Sequence, residues 1–373
     1  MASENSKHKV HWLCWVPTPY NDHLFRSLAE DPEIDLIVHY RERVLSSHPW
    51  QTRLAQGYRN RYYRCALGID WRIVTLPFTE RNSFFVIGGW NHATAVVLIN
   101  ILNLFRKRFA IWTDTPNLTR RRDPIFGFFR SVFLKWAFLR AEKVMGTGLP
   151  AVDALRDMGI DRAKLINFPY GVDLDSYFAG RSKTKSCSKP QTLYILSAGR
   201  LNNSLKGHDI ALKALAKAAS FSEVKFVYSL AGVGQDLEVL KELAQYLGIG
   251  DQVNFCGWVE PDELVAYFRK ADIVIHSSPV HEPYGVAVIE GMAASCVVLA
   301  SDVTCSALDR IENCVNGFIH PAGDVQALAE QIEFLFKNPE RIPEIGKKAR
   351  ETAEQWTIVR GIKAIKEVVC AES

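Results

Sequence analysis

The chain has 373 residues, of which 48% are apolar and 23% are charged. This composition supports two domains with full cores and excludes a disordered or fibrous protein. Charge is uneven along the chain: residues 1–170 hold 24 Lys and Arg against 15 Asp and Glu, whereas the remainder holds 21 against 26, so the first half is the part suited to anionic partners.

The first half predicts an irregular alternation of strands and helices. Its opening apolar run is broken by Pro17 and Pro19, which is typical of a buried first strand rather than a signal peptide. No stretch reaches the roughly 18 apolar residues needed to span a bilayer. The predicted strands are 10–16, 35–40, 83–89, 109–114 and 142–148, and the predicted helices are 21–30, 91–105 and 124–140.

The stretch 120–143 is dense in apolar residues with Arg130, Lys135 and Arg140 interspersed. This pattern favours a core helix, and a peripheral membrane contact is the alternative.

The basic residues of the chain do not alternate with aromatic residues in a stripe, so we expect no nucleic-acid partner. Eight scattered cysteines without a C-x-x-C pair predict no metal site and a cytoplasmic protein, with the inner membrane face as a peripheral location.

The second half alternates short apolar runs with helical patterns. Continuous apolar strands separated by helices indicate a parallel sheet covered on both faces. We place the domain boundaries by composition: a first domain at 1–178, a polar linker at 179–191, a second domain at 192–355 and a C-terminal helix at 356–373 that can cross back to the first domain. The predicted strands of the second domain are 193–199, 225–232, 252–257, 271–278 and 296–302.

Two carboxylates frame the stretch HEPYGVAVIEG, residues 281–291. Glu282 stands before a helix predicted from about Tyr284, and Glu290 lies about two turns along it. At a rise of about 1.5 Å per residue their backbones are roughly 10 Å apart, too far for one shared proton. Taken singly, Glu282 is typical of a helix cap and Glu290 of an ordinary helix acid. Together with a helix start open to phosphate and with Gly285, which allows a ligand close to the backbone, they favour a bound sugar diphosphate.

Two cations follow the first strand of the second domain. Arg200 and Lys206, in AGRLNNSLKG, should emerge at the carboxyl end of that strand. Ligands of doubly wound sheets collect beyond this edge, so we predict the site in a cleft between the two domains. A guanidinium and an ammonium there can neutralise a diphosphate leaving group without a metal.

These residues carry a resemblance to a known family. As a set, they resemble the nucleotide-sugar domain of retaining glycosyltransferases of the GT-B fold, family four. The resemblance covers about residues 142–335, and PYGVD at 169–173 resembles the interdomain segment of that family. The motifs are the AGR that ends at Arg200 with Lys206-Gly207, the Gly232-x-Gly234 loop, the FCGW that ends at Trp258, the element from Glu282 to Glu290, and NGF at 316–318 followed by PAGD at 321–324.

The resemblance implies an α/β fold of two Rossmann-like doubly wound domains facing across a cleft. It implies transfer of a sugar from a nucleotide-diphosphate sugar to a glycan, lipid-linked or small-molecule acceptor, as in polysaccharide biosynthesis, with no cofactor. Carried over residue by residue, it assigns the diphosphate to Arg200 and Lys206, the donor sugar to Glu282 and the ribose to Glu290. The remaining donor contacts that it implies are the backbone of Tyr284, Gly285 and Val286 at the phosphates and the loop around Trp258 near the base.

The sequence departs from the family pattern in both halves. The glycine and proline expected after the second Glu are absent at 293–297, and TCSALD places Asp309 roughly where the family has a Glu. In the first half, PTPYNDH replaces a glycine-rich loop. Asp114, in WTDTP, stands near the position of a histidine, and an acid cannot reproduce the hydrogen bonding of an imidazole. Asp114 is nevertheless a catalytic candidate.

The spacing of the acids also bears on mechanism. Retaining hydrolases hold two carboxyl groups about 5 Å apart, which the spacing of Glu282 and Glu290 does not suit. We therefore expect same-face transfer, in which the leaving diphosphate accepts the proton of the acceptor.

The alternatives are a non-catalytic nucleotide-sugar-binding or partner protein, a nucleotide-sugar epimerase, and an oxidoreductase. The oxidoreductase is disfavoured because Gly232-x-Gly234 lacks the third glycine of a dinucleotide fingerprint.

Overall fold

The computed structural model describes residues 7–43, 55–90, 92–116, 124–178 and 192–371. The chain forms two compact units: unit 1 is Met1–Val172 with Ile358–Ser373, and unit 2 is Asp173–Thr357. Residues 173–178, which we assigned to the first domain, therefore lie in unit 2, where the ring of Tyr177 packs against Phe268 at a centroid distance of 5.6 Å. The predicted linker at 179–191 lies outside the described residues.

Unit 1 contains a seven-stranded parallel sheet in the order β3-β2-β1-β4-β5-β6-β7. Its strands are β1 His8–Cys14, β2 Ile34–Tyr40, β3 Arg59–Tyr62, β4 Phe84–Gly88, β5 Phe109–Thr113, β6 Lys143–Gly146 and β7 Leu165–Asn167. Its first helices are α1 Pro19–Glu30, α2 Trp71–Thr79, α3 Ala93–Leu104, α4 Pro124–Arg140 and α5 Leu149–Asp157. The five strands and three helices predicted for this half are present, whereas β3, β7, α2 and α5 were not predicted.

The unit 1 sheet is covered on both faces because successive side chains of its strands point in opposite directions. Trp12 of β1 pairs with Val38 and Val86 in register, and these three side chains lie in the core on one side of the sheet. Leu13 and Phe85 belong to the core on the other side, with residues of α2, α3 and α4. This double burial explains the continuous apolar runs of the sequence.

Helix α4 is a core helix on only one of its sides. Leu134, Ala137 and Phe138 are buried in unit 1, as the core interpretation predicts. The opposite side of the helix exposes several large apolar side chains, Phe128 and Phe129 among them. Within the described part of the chain, no helix is both long and apolar enough to span a membrane.

Unit 2 contains a six-stranded parallel sheet in the order β10-β9-β8-β11-β12-β13. Its strands are β8 Leu193–Ala198, β9 Phe226–Ala231, β10 Val253–Gly257, β11 Ile273–His276, β12 Val297–Ser301 and β13 Phe318–His320. Its helices are α6 Asp175–Phe178, α7 Asn203–Lys206, α8 His208–Ala219, α9 Leu237–Tyr246, α10 Pro261–Lys270, α11 Val286–Ala293, α12 Cys305–Arg310, α13 Val325–Lys337 and α14 Arg341–Ala353. The doubly wound parallel fold is confirmed in both units, and the three-residue strand β13 was not predicted.

The last helix, α15 Ile358–Val369, packs in unit 1. Its side chains Ile365, Val368 and Val369 are buried in the same core as Trp12. The guanidinium of Arg108 also donates to the carbonyl oxygens of Val368 and Val369, at 3.2 and 3.3 Å. The core of unit 1 is therefore built from both ends of the chain.

Candidate functional site

The strand order of unit 2 creates a crevice at one point of its sheet. β8 lies between β9 and β11, so the chain leaves β8 towards one face and leaves β11 towards the other. At such a switch point the two outgoing loops separate, and ligands bind beyond the carboxyl ends of the strands. The loop 199–207 follows β8 and the loop 277–285 follows β11, and these loops carry most of the predicted site residues.

The two loops are tied together by their backbones. Gly207 adopts a left-handed conformation with a φ of 63°, and a Cβ on it would lie 2.1 Å from the carbonyl oxygen of Ser277. The Ser277 hydroxyl donates to the Gly207 carbonyl at 2.8 Å. Only glycine permits this approach, and it places the end of α7 directly beside the β11 loop.

Lys206 and Glu282 meet as a consequence. The Lys206 Nζ lies 2.6 Å from Glu282 Oε1 and 2.7 Å from Oε2. Their side chains are only 18% and 15% exposed, so both charges are largely removed from water. The structure therefore brings together two residues that are 76 positions apart in the sequence.

Two further groups surround the Glu282 carboxylate. The Ser278 hydroxyl donates to Oε2 at 2.8 Å, and His276 Nε2 lies 3.7 Å from the same oxygen. Burial acts to raise the pKa of Glu282, but the neighbouring His276 and the charge of Lys206 outweigh it and hold this pKa well below its usual range. Glu282 is an anion at every physiological pH.

Arg200 lies in the loop immediately after β8. Its carbonyl accepts a hydrogen bond from Nε2 of His208 at 3.0 Å, and because burial lowers the pKa of His208 to about 4, that imidazole is neutral at physiological pH. The Arg200 side chain is half-buried, and its guanidinium forms no ion pair with any residue in the described ranges. Arg200 is thus anchored through its backbone, and its charge can be directed to a ligand.

The start of α11 differs from the prediction. The helix begins at Val286, and Gly285 has a φ of 88° with Thr304 Cγ2 only 2.7 Å from the position of a Cβ. The space that a Cβ of Gly285 would take is therefore filled by a protein side chain, and close approach of a ligand to its backbone stays a prediction. The first N–H groups of α11, including that of Val286, have no carbonyl partner within the helix and face its N-terminal end.

The Tyr284 side chain is buried rather than available to a ligand. Its hydroxyl is hydrogen-bonded to Arg310 Nη2 at 2.9 Å, and Arg310 also stacks on Trp356 at 4.0 Å. Asp309, the position where the resemblance places a Glu, is fully buried and 3.2 Å from Arg310. These contacts hold the loop before α11 in place from the protein interior. Asp309 is part of this buried cluster.

Glu290 lies in the second turn of α11 and does not contact Glu282. The Tyr177 hydroxyl donates to Glu290 Oε1 at 2.8 Å. Burial raises the pKa of Glu290 to about 7, although the hydrogen bond from Tyr177 acts in the opposite direction. Near neutral pH this carboxyl can therefore exchange between its acid and its anion.

The Gly232-x-Gly234 loop and Trp258 follow β9 and β10, which lie on the opposite side of β8 from β11. A Cβ on Gly232 would lie 1.9 Å from the Gly199 carbonyl oxygen, and one on Gly234 would lie 2.2 Å from that of Leu201. These glycines therefore allow close packing of backbone on backbone. Trp258 follows β10, two strands from β8, and its Nε1 donates to Glu260 at 2.8 Å.

Unit 1 has its own switch point, between β1 and β4. A cavity of about 520 Å³ lies there, at the carboxyl ends of β1, β4, β5, β6 and β7. Asp114, which follows β5, lines this cavity together with Thr18, Tyr20 and Asn21 of the PTPYNDH segment. The residues that replace the family's glycine-rich loop thus form one wall of a pocket that contains Asp114.

The Asp114 side chain is exposed at the surface of the cavity, with protein on its other sides. The Tyr170 hydroxyl donates to Asp114 Oδ1 at 2.6 Å, and the Thr147 hydroxyl does so at 3.4 Å. The surrounding protein displaces water and raises the pKa of Asp114, although these two hydrogen bonds act to lower it. His92 also lies in unit 1, where its Nδ1 accepts the N–H of Ala95 at the start of α3.

Comparison with known sequences finds a family match within unit 2. The family model described as "Glycosyl transferases group 1" matches residues 181–352, which is most of unit 2. No group of three or more His, Cys, Asp or Glu side chains that could hold a metal ion occurs among the described residues of the chain.

Curated relatives match parts of the chain. A mannosylfructose-phosphate synthase from Agrobacterium fabrum is 27% identical over 52% of this chain and 45% of its own length. A D-inositol 3-phosphate glycosyltransferase from Rhodococcus erythropolis is 27% identical over 58% of this chain and 51% of its own length. An uncharacterized glycosyltransferase from Methanocaldococcus jannaschii is 34% identical over 34% of this chain and 32% of its own length. The matched parts therefore span about half or less of these relatives.

Solved structures match nearly the whole chain at low identity. HepE of Anabaena, solved in complex with UDP and glucose, has a TM-score of 0.72 at 18% identity and covers 97% of this chain and 99% of its own. A glycosyltransferase from Rickettsia africae has a TM-score of 0.76 at 17% identity and covers 99% of this chain and 100% of its own. These similarities establish the fold, and the chain has the GT-B fold of two doubly wound domains.

Three residues around the predicted site of unit 2 were not identified from the sequence. Tyr177, Ser278 and His276 surround the two acids, but nothing in their local patterns distinguishes them from core or loop residues. The signal available for Tyr177 was its place just after PYGVD, in the segment that resembles the interdomain region of the family. A search for hydroxyl partners in that segment would have included it.

Proposed function

We propose that this protein is a retaining glycosyltransferase that transfers a sugar from a nucleotide-diphosphate sugar to an acceptor hydroxyl. The observation that carries the proposal is the Lys206–Glu282 pair at the switch point of unit 2, beside the half-buried Arg200. An ammonium group has three N–H donors, so Lys206 can hold Glu282 and still donate to a phosphate. The family-model match over residues 181–352 and the fold of unit 2 support the same reaction class.

In the proposed complex, each part of the donor meets one group of unit 2. The diphosphate binds Arg200, Lys206 and the N-terminal end of α11, because all three carry positive charge or partial charge. Glu282, held as an anion, accepts hydrogen bonds from hydroxyls of the donor sugar. Glu290 accepts those of the ribose, and Trp258 lies near the base.

The proposed transfer takes place on one face of the sugar. The bond between the anomeric carbon and the diphosphate breaks, and its electron pair goes to the diphosphate. The acceptor oxygen forms the new bond, and its proton passes to a diphosphate oxygen. Arg200 and Lys206 stabilise the charge that develops on the leaving group, which is why the proposal requires no metal. Glu282 is a poor nucleophile here, because Lys206 and Ser278 already bind its oxygens.

The test uses the full-length protein with uridine, guanosine and adenosine diphosphate sugars. We expect one of them to raise the melting temperature and to release its nucleoside diphosphate in the presence of acceptors, with the anomeric configuration kept in the product by NMR. Binding without release would favour the non-catalytic alternative, and a changed sugar without release would favour an epimerase. An inverted product would contradict the same-face mechanism.

We further propose that the exposed side of α4 contacts an anionic membrane surface. Its apolar side chains recur at helical spacing and form one stripe: Ile125 at 70% exposure, Phe128 and Phe129 at 65%, Val132 at 51%, Trp136 at 37% and Leu139 at 61%. A row of large apolar side chains exposed to water is unfavourable unless a membrane or another protein covers it. The exposed Lys135 and Arg140 are its neighbours on the helix surface, and α4 contains no acidic residue, so anionic lipid headgroups match its charge.

Vesicle flotation tests this contact on the full-length protein. We expect co-flotation with vesicles that contain phosphatidylglycerol, and less of it with pure phosphatidylcholine or at high salt, because salt screens the headgroup attraction. The double variant Phe128→Ser/Phe129→Ser should lose binding. Phe221→Ser, which removes a 62% exposed Phe from unit 2, is the matched control and should retain binding. Failure of wild-type protein to float with anionic vesicles would refute the proposal.

A further inference from the structure

The cavity at the switch point of unit 1 has the size of a small-molecule site. Its volume of about 520 Å³ lies within the range of about 300–1,000 Å³ that is typical of ligand pockets. The loops after five different strands contribute to its lining. If unit 2 binds the donor, as proposed above, this cavity is the candidate acceptor pocket, and its chemistry restricts the class of acceptor.

Aromatic rings form much of the cavity wall. Trp112, Tyr170 and Tyr20 line it, with Tyr170 at centroid distances of 5.4 Å from Trp112 and 5.2 Å from Tyr20. Trp15 and Trp90 contribute two more rings. Flat apolar surfaces of this kind fit the C–H faces of a ring-shaped ligand, while the polar edges of such a ligand turn to other groups.

The polar groups of the cavity are hydroxyl-binding groups. The Asp114 carboxyl and the Thr147 hydroxyl lie 3.4 Å apart on its wall. Asn21 lines the cavity at 6% exposure, and its Oδ1 has no hydrogen-bond partner among the described residues, nor has Oγ1 of Thr18. Buried polar atoms without partners are rare in folded proteins. These two atoms are closed to solvent, whereas the Asp114 carboxyl is exposed in the cavity and can accept a hydrogen bond from a ring hydroxyl.

The charge of the cavity selects against anions. Asp114 is the charged residue of its described lining, in which no Lys, Arg or His occurs. Arg41 is stacked on the Trp15 ring at 4.1 Å, and it is not among the residues that line the cavity. A phosphate or carboxylate would lie close to the Asp114 carboxyl without a counter-charge, and like charges in a partly desolvated site cost binding free energy.

From this combination we infer that the unit 1 cavity binds an uncharged, hydroxyl-rich ring, such as a neutral sugar or cyclitol, and discriminates against the phosphorylated form of the same ring. Asp114 accepts a hydrogen bond from one of the ring hydroxyls, and the aromatic wall packs against the C–H faces of the ring. The acceptor that enters this cavity is then a neutral sugar, free or at the end of a longer glycan.

The test compares matched neutral and phosphorylated rings on the full-length protein. Saturation-transfer NMR and titration calorimetry would use glucose against glucose 6-phosphate, myo-inositol against its monophosphate, and a neutral disaccharide. We expect the neutral member of a pair to bind about tenfold tighter or more. Asp114→Asn removes the charge and keeps the shape, so the preference should fall by about tenfold. Trp90→Ala should weaken the binding of both members.

Two results would overturn the inference. One is equal or tighter binding of the phosphorylated ring, and the other is a preference that Asp114→Asn leaves unchanged. Donor-side measurements keep these results separate from the proposed function. If nucleotide diphosphate is released with a phosphorylated acceptor, the acceptor class is wrong and the transferase activity stands. If no nucleotide sugar binds while neutral rings occupy the cavity, the proposed function fails and the acceptor inference survives.

Discussion

Replacing Glu290 with Gln should stabilise the folded protein at alkaline pH and weaken nucleotide binding. Burial raises the pKa of Glu290 to about 7, against an ordinary value of 4.5. The folded state therefore holds this proton more tightly than the unfolded state does. As the pH rises from about 5 to about 7, ionisation of Glu290 costs the folded state free energy, and stability falls.

The size of the effect follows from the two pKa values. Each pKa unit corresponds to about 1.4 kcal/mol, so the difference between about 7 and 4.5 amounts to about 3 kcal/mol in the free energy of unfolding. Gln cannot ionise, and its side-chain oxygen can still accept the hydrogen bond of Tyr177. The stability advantage of Glu290→Gln should grow from near zero below pH ~5 to about 3 kcal/mol above pH ~7.

Guanidinium unfolding of the full-length protein at about pH 5 and about pH 8 measures this difference in the free energy of unfolding. Glu351→Gln, at a side chain that is 58% exposed, is the control and should show little pH-dependent difference from wild type. An advantage of Glu290→Gln that is equal at both pH values, or a loss of stability at the higher one, would refute the reasoning. Nucleotide affinity should fall about tenfold, since one charged hydrogen-bond acceptor is lost.

Two further substitutions test the packing of unit 2. Lys206→Met should lower nucleotide diphosphate release about 10²-fold and cost about 3 kcal/mol of stability, because it leaves the buried Glu282 carboxylate without a counter-charge. Lys213→Met, at a surface ion pair that is 43% exposed, should change neither the kinetics nor the melting temperature appreciably. Gly232→Ala should cost about 3 kcal/mol, because the new Cβ would lie 1.9 Å from a backbone carbonyl oxygen of the neighbouring loop. Gly248→Ala, with a φ of 72° but open space around it, should cost about 1 kcal/mol, and equal losses in denaturant unfolding would contradict the packing interpretation.

Much of the fold was predictable because the strands of both sheets are buried on both faces. Runs such as LYILSAG and ADIVIHSS stay apolar at every position, which distinguishes them from the helices between them. The strands that were not predicted lack this property. β3, with the sequence RNRY, is an edge strand with exposed positions, and β13 has only three residues. Sheet edges leave a weak pattern because half of their environment is solvent.

The candidate site was predictable only as far as topology places residues. Arg200, Lys206 and Glu282 follow two strands that become neighbours, and the rule for carboxyl ends places such residues in one crevice. Tyr177 could not be connected with Glu290 in this way, because the two are 113 positions apart and belong to no shared motif. An aspartate in a polar stretch such as TCSALD would ordinarily be expected at the surface. The burial of the Asp309 side chain beside Arg310 follows from tertiary packing, which the sequence alone does not show.

Helix α15 has a consequence for how the chain can be divided. A fragment that ends at residue 172 would lack Ile365 and its neighbours, and the hydrophobic face that they cover would be in contact with water. Helix α15 follows unit 2 along the chain, so unit 1 acquires its full core only after unit 2 has been synthesised. A recombinant version of unit 1 would therefore require the 358–371 segment to be joined covalently, as in a circular permutant, or supplied as a separate peptide.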